Sequence, residues 1–177
     1  EEWQPTFTYH GFRFVELTGF REKPSLSDFE GQVIYDEMET TGNLETSDPM
    51  INRIYKNAYW GIRGNYRGMP TDCPQRDERM GWLGDRAVGS QGESYIFNNH
   101  LLYAKWLDDI EQAQKENGAV PDVAPNYWDV CTDNMTWPGA YLIIANMLYD
   151  QFGDKQPIIK HYPSMKKWMR YMKDKYM

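Results

Sequence analysis

The sequence predicts a mainly α-helical fold that forms part of an α-helical toroid and follows the last strands of a larger β domain. Apolar residues alternate with a period of two over roughly the first 40 residues and then recur with the 3.6-residue period of helices. Chemically unusual residues collect in the loops before the predicted helix starts, and a toroid gathers such loops at one end. The 177 residues have room for about five helices, whereas a complete toroid needs about a dozen.

Three short segments near the start predict β-strands. Residues 6–10 and 12–17 alternate apolar and polar side chains, with Gly11 between them as a hairpin or bulge, and residues 32–38 form a third candidate. Three strands cannot bury both faces of a sheet. We therefore expect residues 1–40 to be the C-terminal strands of a β domain.

A polar boundary separates this segment from the first predicted helix. Asp48 is expected to cap that helix and Pro49 to take its first position. Apolar residues between 51 and 62 form one stripe at i, i+3, i+4 spacing, and residues 64–70 end the helix. The second helix is expected to begin at or just after Asp85.

Three further helices are predicted. The third carries an apolar stripe over residues 101–113, the fourth begins at Pro138 and ends at Gly153, and the fifth covers residues 163–175. Residues 41–177 are therefore predicted to form the first half of a helical domain that is incomplete in this chain.

The composition argues against several classes of function. A net charge of −7 and a pI of about 5.0 disfavour nucleic acid, whose phosphates need a basic footprint, and an anionic membrane surface. No stretch approaches the roughly 18–20 apolar residues of a membrane span, and the first residues lack a signal-peptide pattern. Since the chain has no initiator Met, we expect it to begin inside a longer protein.

Cysteine and aromatic content give weaker indications. Cys73 and Cys131 have no Cys or His nearby at metal-ligand spacing, so neither a zinc site nor a disulfide framework is predicted. No glycine-rich nucleotide-binding motif occurs. Aromatic residues make up 15% of the chain, which suits either a core of large side chains or a site that packs aromatic faces against sugar rings.

The most informative segment is residues 71–85, which follow neither helix nor strand periodicity. Its carboxylates alternate with arginines and end near an aromatic residue: Asp72, Arg76, Asp77, Glu78, Arg79, Trp82 and Asp85. Such a segment is typical of a pocket that keeps one carboxyl group protonated and another ionised beside a polar, ring-shaped ligand. We call residues 71–85 the acidic motif.

The part of the acidic motif that reads DCPQRDERMGWLGD resembles the signature of the bacterial α-L-rhamnosidases, glycoside hydrolase family 78. Residues 11–19 resemble the last strands of that family's β-sandwich, and residues 117–125 and 135–139 resemble later barrel loops. The resemblance implies a partial (α/α)6 barrel preceded by the last strands of a β-sandwich domain. It also implies hydrolysis of terminal α-L-rhamnose from a glycoside or polysaccharide, with inversion and with no metal or other cofactor.

The resemblance also implies roles for residues of the motif. Glu78 matches the family's general acid. Asp72 and Asp85 match carboxylates that hold sugar hydroxyls, whereas Arg76 and Trp82 match residues that line the sugar subsite. The family's general base matches no residue of this chain and is expected in a barrel segment beyond residue 177.

Leu83 departs from the family pattern, which more often has Thr at this position. Leucine has no hydroxyl group and cannot make the hydrogen bond that Thr would make there. Trp137 lies just before a predicted helix and is either a hydrophobic staple or a substrate-binding platform for the sugar. Trp82 could instead be a plain core residue.

The charged residues of the motif also have structural interpretations. Glu78 could form an ion pair with Arg76 or Arg79 rather than act as an acid. Asp85 could cap the following helix, and Asp72 could form an Asx turn. Neighbouring carboxylates favour the protonated form of Glu78 and the arginines favour its ionised form, and the sequence leaves this balance open.

Several functional alternatives remain at this point. The parent protein could be an (α/α)6 glycosidase for another sugar, or the chain could be a non-catalytic carbohydrate-binding fragment. The isolated chain is expected to be inactive because its barrel is incomplete, and to self-associate because a half barrel leaves apolar helix faces uncovered. The sequence does not choose between a cytoplasmic and a periplasmic or secreted location in a bacterium, or between possible aglycones.

Overall fold

The computed structural model describes residues 2–177, and it confirms that the chain is mainly α-helical. Within those residues it contains no β-strand, one short 3-10 helix at Leu26–Asp28, and five α-helices. The α-helices are α1 (Pro49–Arg63), α2 (Leu83–Ser94), α3 (His100–Ala113), α4 (Ala140–Phe152) and α5 (Gln156–Tyr176). No helix in the described part of the chain combines the length and the apolarity needed to cross a bilayer.

The last four helices pack in two layers. α2 packs against α4, α3 packs against α5, and α4 also contacts both α3 and α5. The core between these layers consists of large side chains that are almost completely buried: Leu83, Tyr103, Trp106, Ile110, Tyr141, Ile144 and Leu148. Leu101, the first residue of the stripe predicted for α3, is 78% exposed, and Tyr103 takes the buried place instead.

Contacts between α3 and α5 show that these two helices run in the same direction. The Nζ atom of Lys160 lies 2.6 Å from the Oδ1 atom of Asp108. Further along both helices, the Gln114 side chain at the end of α3 donates to the carbonyl of Ser164 at 3.0 Å. Since a short turn at Gly153 joins α4 to α5 as an antiparallel pair, α4 runs opposite to α3 and α5.

Contacts between α2 and α4 show that this pair is parallel as well. Gly84 in the first turn of α2 lies under the ring of Trp137, just before α4. At the other end, Gln151 of α4 donates to the Tyr95 hydroxyl at 3.5 Å. The N-termini of α2 and α4 and the C-termini of α3 and α5 therefore share one end of the bundle. The loops 64–82 and 114–139 meet at that end.

The prediction of three strands in the first 40 residues is wrong for this structure. Residues 6–10, 12–17 and 32–38 form no β-ladder, and most of their side chains are exposed. The backbone contacts of this region include Gly11 N donating to Pro74 O at 2.8 Å. A strand needs a paired neighbour to satisfy its backbone groups, and none of the described residues supplies one. The assignment of residues 1–40 to a β-sandwich stays a prediction.

The start of α1 agrees with the sequence prediction. The Oδ1 atom of Asp48 accepts a hydrogen bond from Met50 N at 2.7 Å, and Pro49 is the first helical residue. The apolar stripe of α1, however, is only partly covered. Tyr55, Tyr59 and Ile62 pack against a small cluster around Phe97. No residue of this helix is fully buried, and Ile54 is 60% exposed. The expected self-association through such faces stays a prediction.

Three helix starts differ from the predictions. α4 begins at Ala140 and not at Pro138, because residues 136–139 form a turn in which Gly139 N donates to Met135 O at 3.0 Å. The other two differences involve tertiary contacts. α2 begins at Leu83, before Asp85, because Leu83 N donates to Asp122 O at 2.9 Å. Asp85 therefore lies inside the first turn and does not cap the helix. α5 begins at Gln156, so Pro163 lies within the helix. Buried residues of α5 lie on both sides of this proline, among them His161 and Met165. Packing of α5 against α3 and α4 therefore offsets the cost of the proline.

Candidate active site

The acidic motif and the loop before α4 are in direct backbone contact. Ala124 N donates to Gly81 O at 3.0 Å, and Leu83 N donates to Asp122 O at 2.9 Å. A Cβ atom placed on Gly81 would lie 2.1 Å from the Ala124 carbonyl oxygen, so no larger residue fits there without displacing one of the loops. This contact holds the motif at the end of the bundle where the loops converge.

Asp72 closes the first part of the motif into a loop. Its backbone N donates to Met80 O at 2.9 Å, and its Oδ1 atom accepts from Met80 N at 2.8 Å. This bond reaches across the loop, so Asp72 does more than stabilise a local Asx turn. The second carboxylate oxygen, Oδ2, is buried and has no hydrogen-bond partner among the described residues.

Glu78 is paired with Arg76 and not with Arg79. The Arg76 Nε atom lies 3.0 Å from Glu78 Oε2 and also donates to Cys73 Sγ at 3.4 Å. The bond to Cys73, followed by the charge of Glu78, raises the pKa of Arg76. Arg79 instead contacts Asp77 at 3.4 Å. The Arg76 side chain is 64% exposed and that of Glu78 31%, and exposed pairs contribute little to stability. A ligand could therefore open this pair at little cost.

Three potential metal ligands lie together beside Arg76. One atom each of Asp72, Cys73 and Glu78 lie within 4.8 Å of one another. Two of these residues already bind the Arg76 guanidinium. That positive charge disfavours a cation at the same place, so the arrangement suits a polar ligand better than a metal ion.

Two tryptophans, Trp82 within the acidic motif and Trp137 just before α4, have unpaired indole N–H groups. Trp82 and Trp137 are both partly buried, and the Nε1 atom of each is buried with no partner in residues 2–177. The ring of Trp137 lies on Gly84 of α2, which is a contact with a neighbouring helix and not a staple within its own helix start. Asp85 is exposed in the first turn of α2.

The described geometry matches known proteins. A family model of the bacterial alpha-L-rhamnosidase 6 hairpin glycosidase domain matches residues 39–177. The chain belongs to the bacterial alpha-L-rhamnosidase family. A second model, the bacterial alpha-L-rhamnosidase concanavalin-like domain, matches residues 1–35. The rhamnosidase relationship predicted from the acidic motif is thereby confirmed.

Curated and solved relatives extend the match to nearly the whole chain. An alpha-L-rhamnosidase from Streptomyces avermitilis is 40% identical over 172 residues, which are 97% of this chain and 17% of the relative. The structure of an alpha-L-rhamnosidase from Dictyoglumus thermophilum has a TM-score of 0.93 and 44% identity over 98% of this chain and 20% of that one. A Streptomyces avermitilis alpha-L-rhamnosidase complexed with L-rhamnose has a TM-score of 0.92 and 39% identity over 97% and 17%. The chain thus spans about a fifth of these rhamnosidases.

A buried polar cluster around Glu93 of α2 was not predicted from the sequence. The carboxylate of Glu93, which is 4% exposed, accepts from the hydroxyls of Tyr66 and Tyr103, each at 2.6 Å. Its other oxygen lies 2.5 Å from Arg86 Nη2. Burial, followed by the charge of Glu93, raises the pKa of both tyrosines, so their hydroxyls stay protonated and donate. The sequence did contain one signal for this pair: Arg86 and Glu93 stand two turns apart in one helix, which places their opposite charges on the same face.

Asp122 was also missed, and it organises the second loop. Its side chain is 2% exposed and accepts from Thr132 N at 3.0 Å and from Asn134 Nδ2 at 2.8 Å. The Oδ1 atom of Asn134 in turn accepts from Trp137 N at 2.8 Å. Asp122 therefore links the start of α2, through its backbone carbonyl, to the position of Trp137.

Two glycines of α2 make a matched test of the contact with Trp137. A Cβ at Gly84 would lie 2.6 Å from Trp137 Cδ2, whereas a Cβ at Gly92 would have nothing within 4 Å. We expect Gly84→Ala to destabilise the protein by about 1–3 kcal/mol because the ring must move. Gly92→Ala should be neutral or stabilise by about 0.5–1 kcal/mol, since alanine is the better helix former. Thermal unfolding of both variants measures this, and equal effects would contradict the contact.

Proposed function

We propose that this chain is part of an α-L-rhamnosidase that removes terminal α-L-rhamnose by an inverting single displacement, with Glu78 as the general acid. The observation that carries the proposal is the position of Glu78. It lies in the motif that resembles the family's signature, in the loop that contacts residues 122–124. Within residues 2–177 its side chain is held by the exposed pair with Arg76 alone. The 39% identical relative that was crystallised with L-rhamnose supports the choice of sugar.

The unsatisfied polar atoms of Asp72, Trp82 and Trp137 suit a sugar ligand. A buried polar group without a partner costs about 1–3 kcal/mol, and a bound ligand can remove that penalty. Asp72 offers a free acceptor, and the indoles of Trp82 and Trp137 offer free donors. Sugar hydroxyls both donate and accept, so they complement this set. The proposed rhamnose-binding residues are Asp72, Arg76, Trp82, Asp85 and Trp137.

The proposed reaction has one displacement step. Protonated Glu78 gives its proton to the glycosidic oxygen as the bond from that oxygen to the anomeric carbon breaks. Water attacks the anomeric carbon from the opposite face, and a carboxylate base takes the proton from the water. In inverting enzymes that base lies about 6.5–9.5 Å from the acid. We place it in a barrel segment outside this chain.

Arg76 must release Glu78 before the acid can act. A general acid must reach the glycosidic oxygen, whereas one carboxylate oxygen of Glu78 lies 3.0 Å from Arg76 Nε. We propose that the arriving sugar draws the guanidinium onto its hydroxyls and leaves Glu78 free to turn to the glycosidic oxygen. The small energy of an exposed pair makes this exchange feasible.

The test is hydrolysis by the full-length protein. We expect it to cleave 4-nitrophenyl α-L-rhamnoside in preference to nitrophenyl glycosides of other sugars, and NMR should show β-rhamnose as the first product. Cleavage of another glycoside instead of the rhamnoside would contradict the proposed sugar and favour another (α/α)6 glycosidase. An α-anomer as the first product would contradict the single displacement. Sugar binding without any hydrolysis would favour a carbohydrate-binding role.

A further inference from the structure

Residues 125–136, which we call the rim segment, leave the acidic motif and return to it. Just before the segment, Ala124 N is bonded to Gly81 O at 3.0 Å. Just after it, the ring of Trp137 lies on Gly84. The residues on either side of the rim segment therefore contact Gly81 and Gly84, which follow Glu78 within six residues. Four extended residues reach at most about 14 Å, so the backbone of Trp128 lies within about 14 Å of Ala124 at that contact.

The rim segment carries two large aromatic side chains in solvent. Tyr127 is 85% exposed and Trp128 is 53% exposed. Neither ring is in an aromatic pair or over a cation within the described residues. Exposed apolar surface contributes nothing to folding, because burying it is what stabilises a protein, by roughly 25 cal/mol per Å². The two rings are therefore not explained by the stability of this part of the chain.

The backbone of the rim segment is held firmly despite its exposure. Asp129 has a φ of 50° and Asp133 a φ of 59°, both in the left-handed region that non-glycine residues rarely adopt. Asn126 donates to Asp129 Oδ1 at 3.2 Å and accepts from Val130 N at 3.1 Å. Lys115 lies 3.0 Å from the same Asp129 carboxylate. Strained residues persist where surrounding contacts fix them.

A second anchor joins the rim segment to α5. The carboxylate of Asp133 accepts from Tyr171 at 2.8 Å, from Tyr176 at 3.1 Å, and from Lys175. The bond from Lys175 is the largest cause that lowers the pKa of Asp133. The carboxylate is therefore ionised at neutral pH, and this anchor persists there. Tyr127 and Trp128 are thus presented on a preorganised segment at the edge of the site.

We propose that Tyr127 and Trp128 form a platform for the ring of the leaving group, the sugar or flat aromatic ring attached to the rhamnose. The proposal rests on the proposed rhamnosidase function. Aromatic side chains pack well on the apolar C–H face of a sugar and on flat aromatic rings. A preorganised platform binds such a ring without first having to order itself. The platform would select rhamnosides by what the rhamnose is attached to.

The test compares substrates that differ only in the leaving group. The full-length protein and its Trp128→Ala and Tyr127→Ala variants are assayed on methyl α-L-rhamnoside, 4-nitrophenyl α-L-rhamnoside and a rhamnosyl-glucose disaccharide. Two of these substrates have a ring in the leaving group, and we call them the ring-bearing substrates. We expect kcat/KM on them to fall by about tenfold in each variant, mainly through KM. Activity on methyl rhamnoside should be unchanged, because its leaving group, methanol, has no ring to stack on the platform.

Two further variants sharpen the result. Trp128→Phe keeps a flat ring and should retain most of the activity on ring-bearing substrates. Tyr162→Ala removes a ring of similar exposure, 56%, from the middle of α5 and should change nothing. A loss confined to the nitrophenyl substrate would assign the platform to aromatic aglycones, and a loss confined to the disaccharide would assign it to sugars.

Other outcomes would overturn the proposal. Unchanged kcat/KM on all three substrates in both alanine variants would show that the rings do not contact the leaving group. An equal loss on all three, methyl rhamnoside included, would show a structural role of the segment. If the wild-type protein cleaves none of the rhamnosides, the proposed function fails and the platform fails with it, which distinguishes that case from the first two.

Discussion

Glu78→Gln in the full-length protein should lower kcat on rhamnosides with poor leaving groups by about 10²–10⁴-fold, the usual contribution of a general acid. The amide has the same shape as the carboxyl group but no proton to give. On 4-nitrophenyl rhamnoside the loss should be smaller, because nitrophenolate leaves with little protonation. The measurement is kcat on a sugar-linked rhamnoside beside kcat on the nitrophenyl substrate. Unchanged activity on the sugar-linked substrate would leave Glu78 as a structural partner of Arg76.

Two controls separate the acid from the ion pair. Thermal stability of Glu78→Gln should change by less than about 1 kcal/mol, since the pair with Arg76 is exposed. Glu45→Gln makes the same chemical change at an exposed position and should leave both activity and stability unchanged. A large loss of stability in Glu78→Gln would mean that lost activity reports misfolding and not chemistry.

Glu93→Leu is expected to destabilise the protein by about 3–5 kcal/mol, the effect of breaking a buried ion pair. The substitution leaves the Arg86 charge without its partner in a site where both side chains are nearly buried, 12% and 5% exposed. It also removes the acceptor of the hydroxyls of Tyr66 and Tyr103. The midpoint of denaturant unfolding measures the effect. A shift no larger than that of an average surface substitution would contradict the structural importance of the cluster.

The same cluster offers a compensating variant. Combining Glu93→Leu with Arg86→Met removes both charges, and apolar replacements of buried pairs are often neutral or stabilising. We therefore expect the double variant to recover much of the loss of the single variant. Glu116→Gln, at an exposed position after α3, serves as the control for a lost carboxylate. A double variant that is less stable than Glu93→Leu would show that Arg86 contributes through contacts other than the pair.

Helix α1 shows what local sequence signals can determine. The cap by Asp48 and the proline that follows it act within one turn, so the start of α1 was predictable to the residue. Gly153 ends α4 in the left-handed conformation, as glycine allows. The acidic motif was equally readable, because its residue types stand at fixed spacing in one short segment. These signals depended on neighbours in sequence alone.

Positions set by distant residues were not readable in this way. Asp122 sets the start of α2, and Trp137 packs on Gly84. Glu78 pairs with Arg76 although Arg79 is nearer in sequence, so even this local choice was not readable. The first 40 residues carry a strand pattern but form no sheet.

The sequence by itself thus determined the helices with strong caps, the family and the candidate acid. Only the tertiary structure decided the strand content, the partner of Glu78 and the buried cluster around Glu93. The physical reason is that caps and spacing act over a few residues, whereas pairing and burial depend on which distant groups the packed helices bring together.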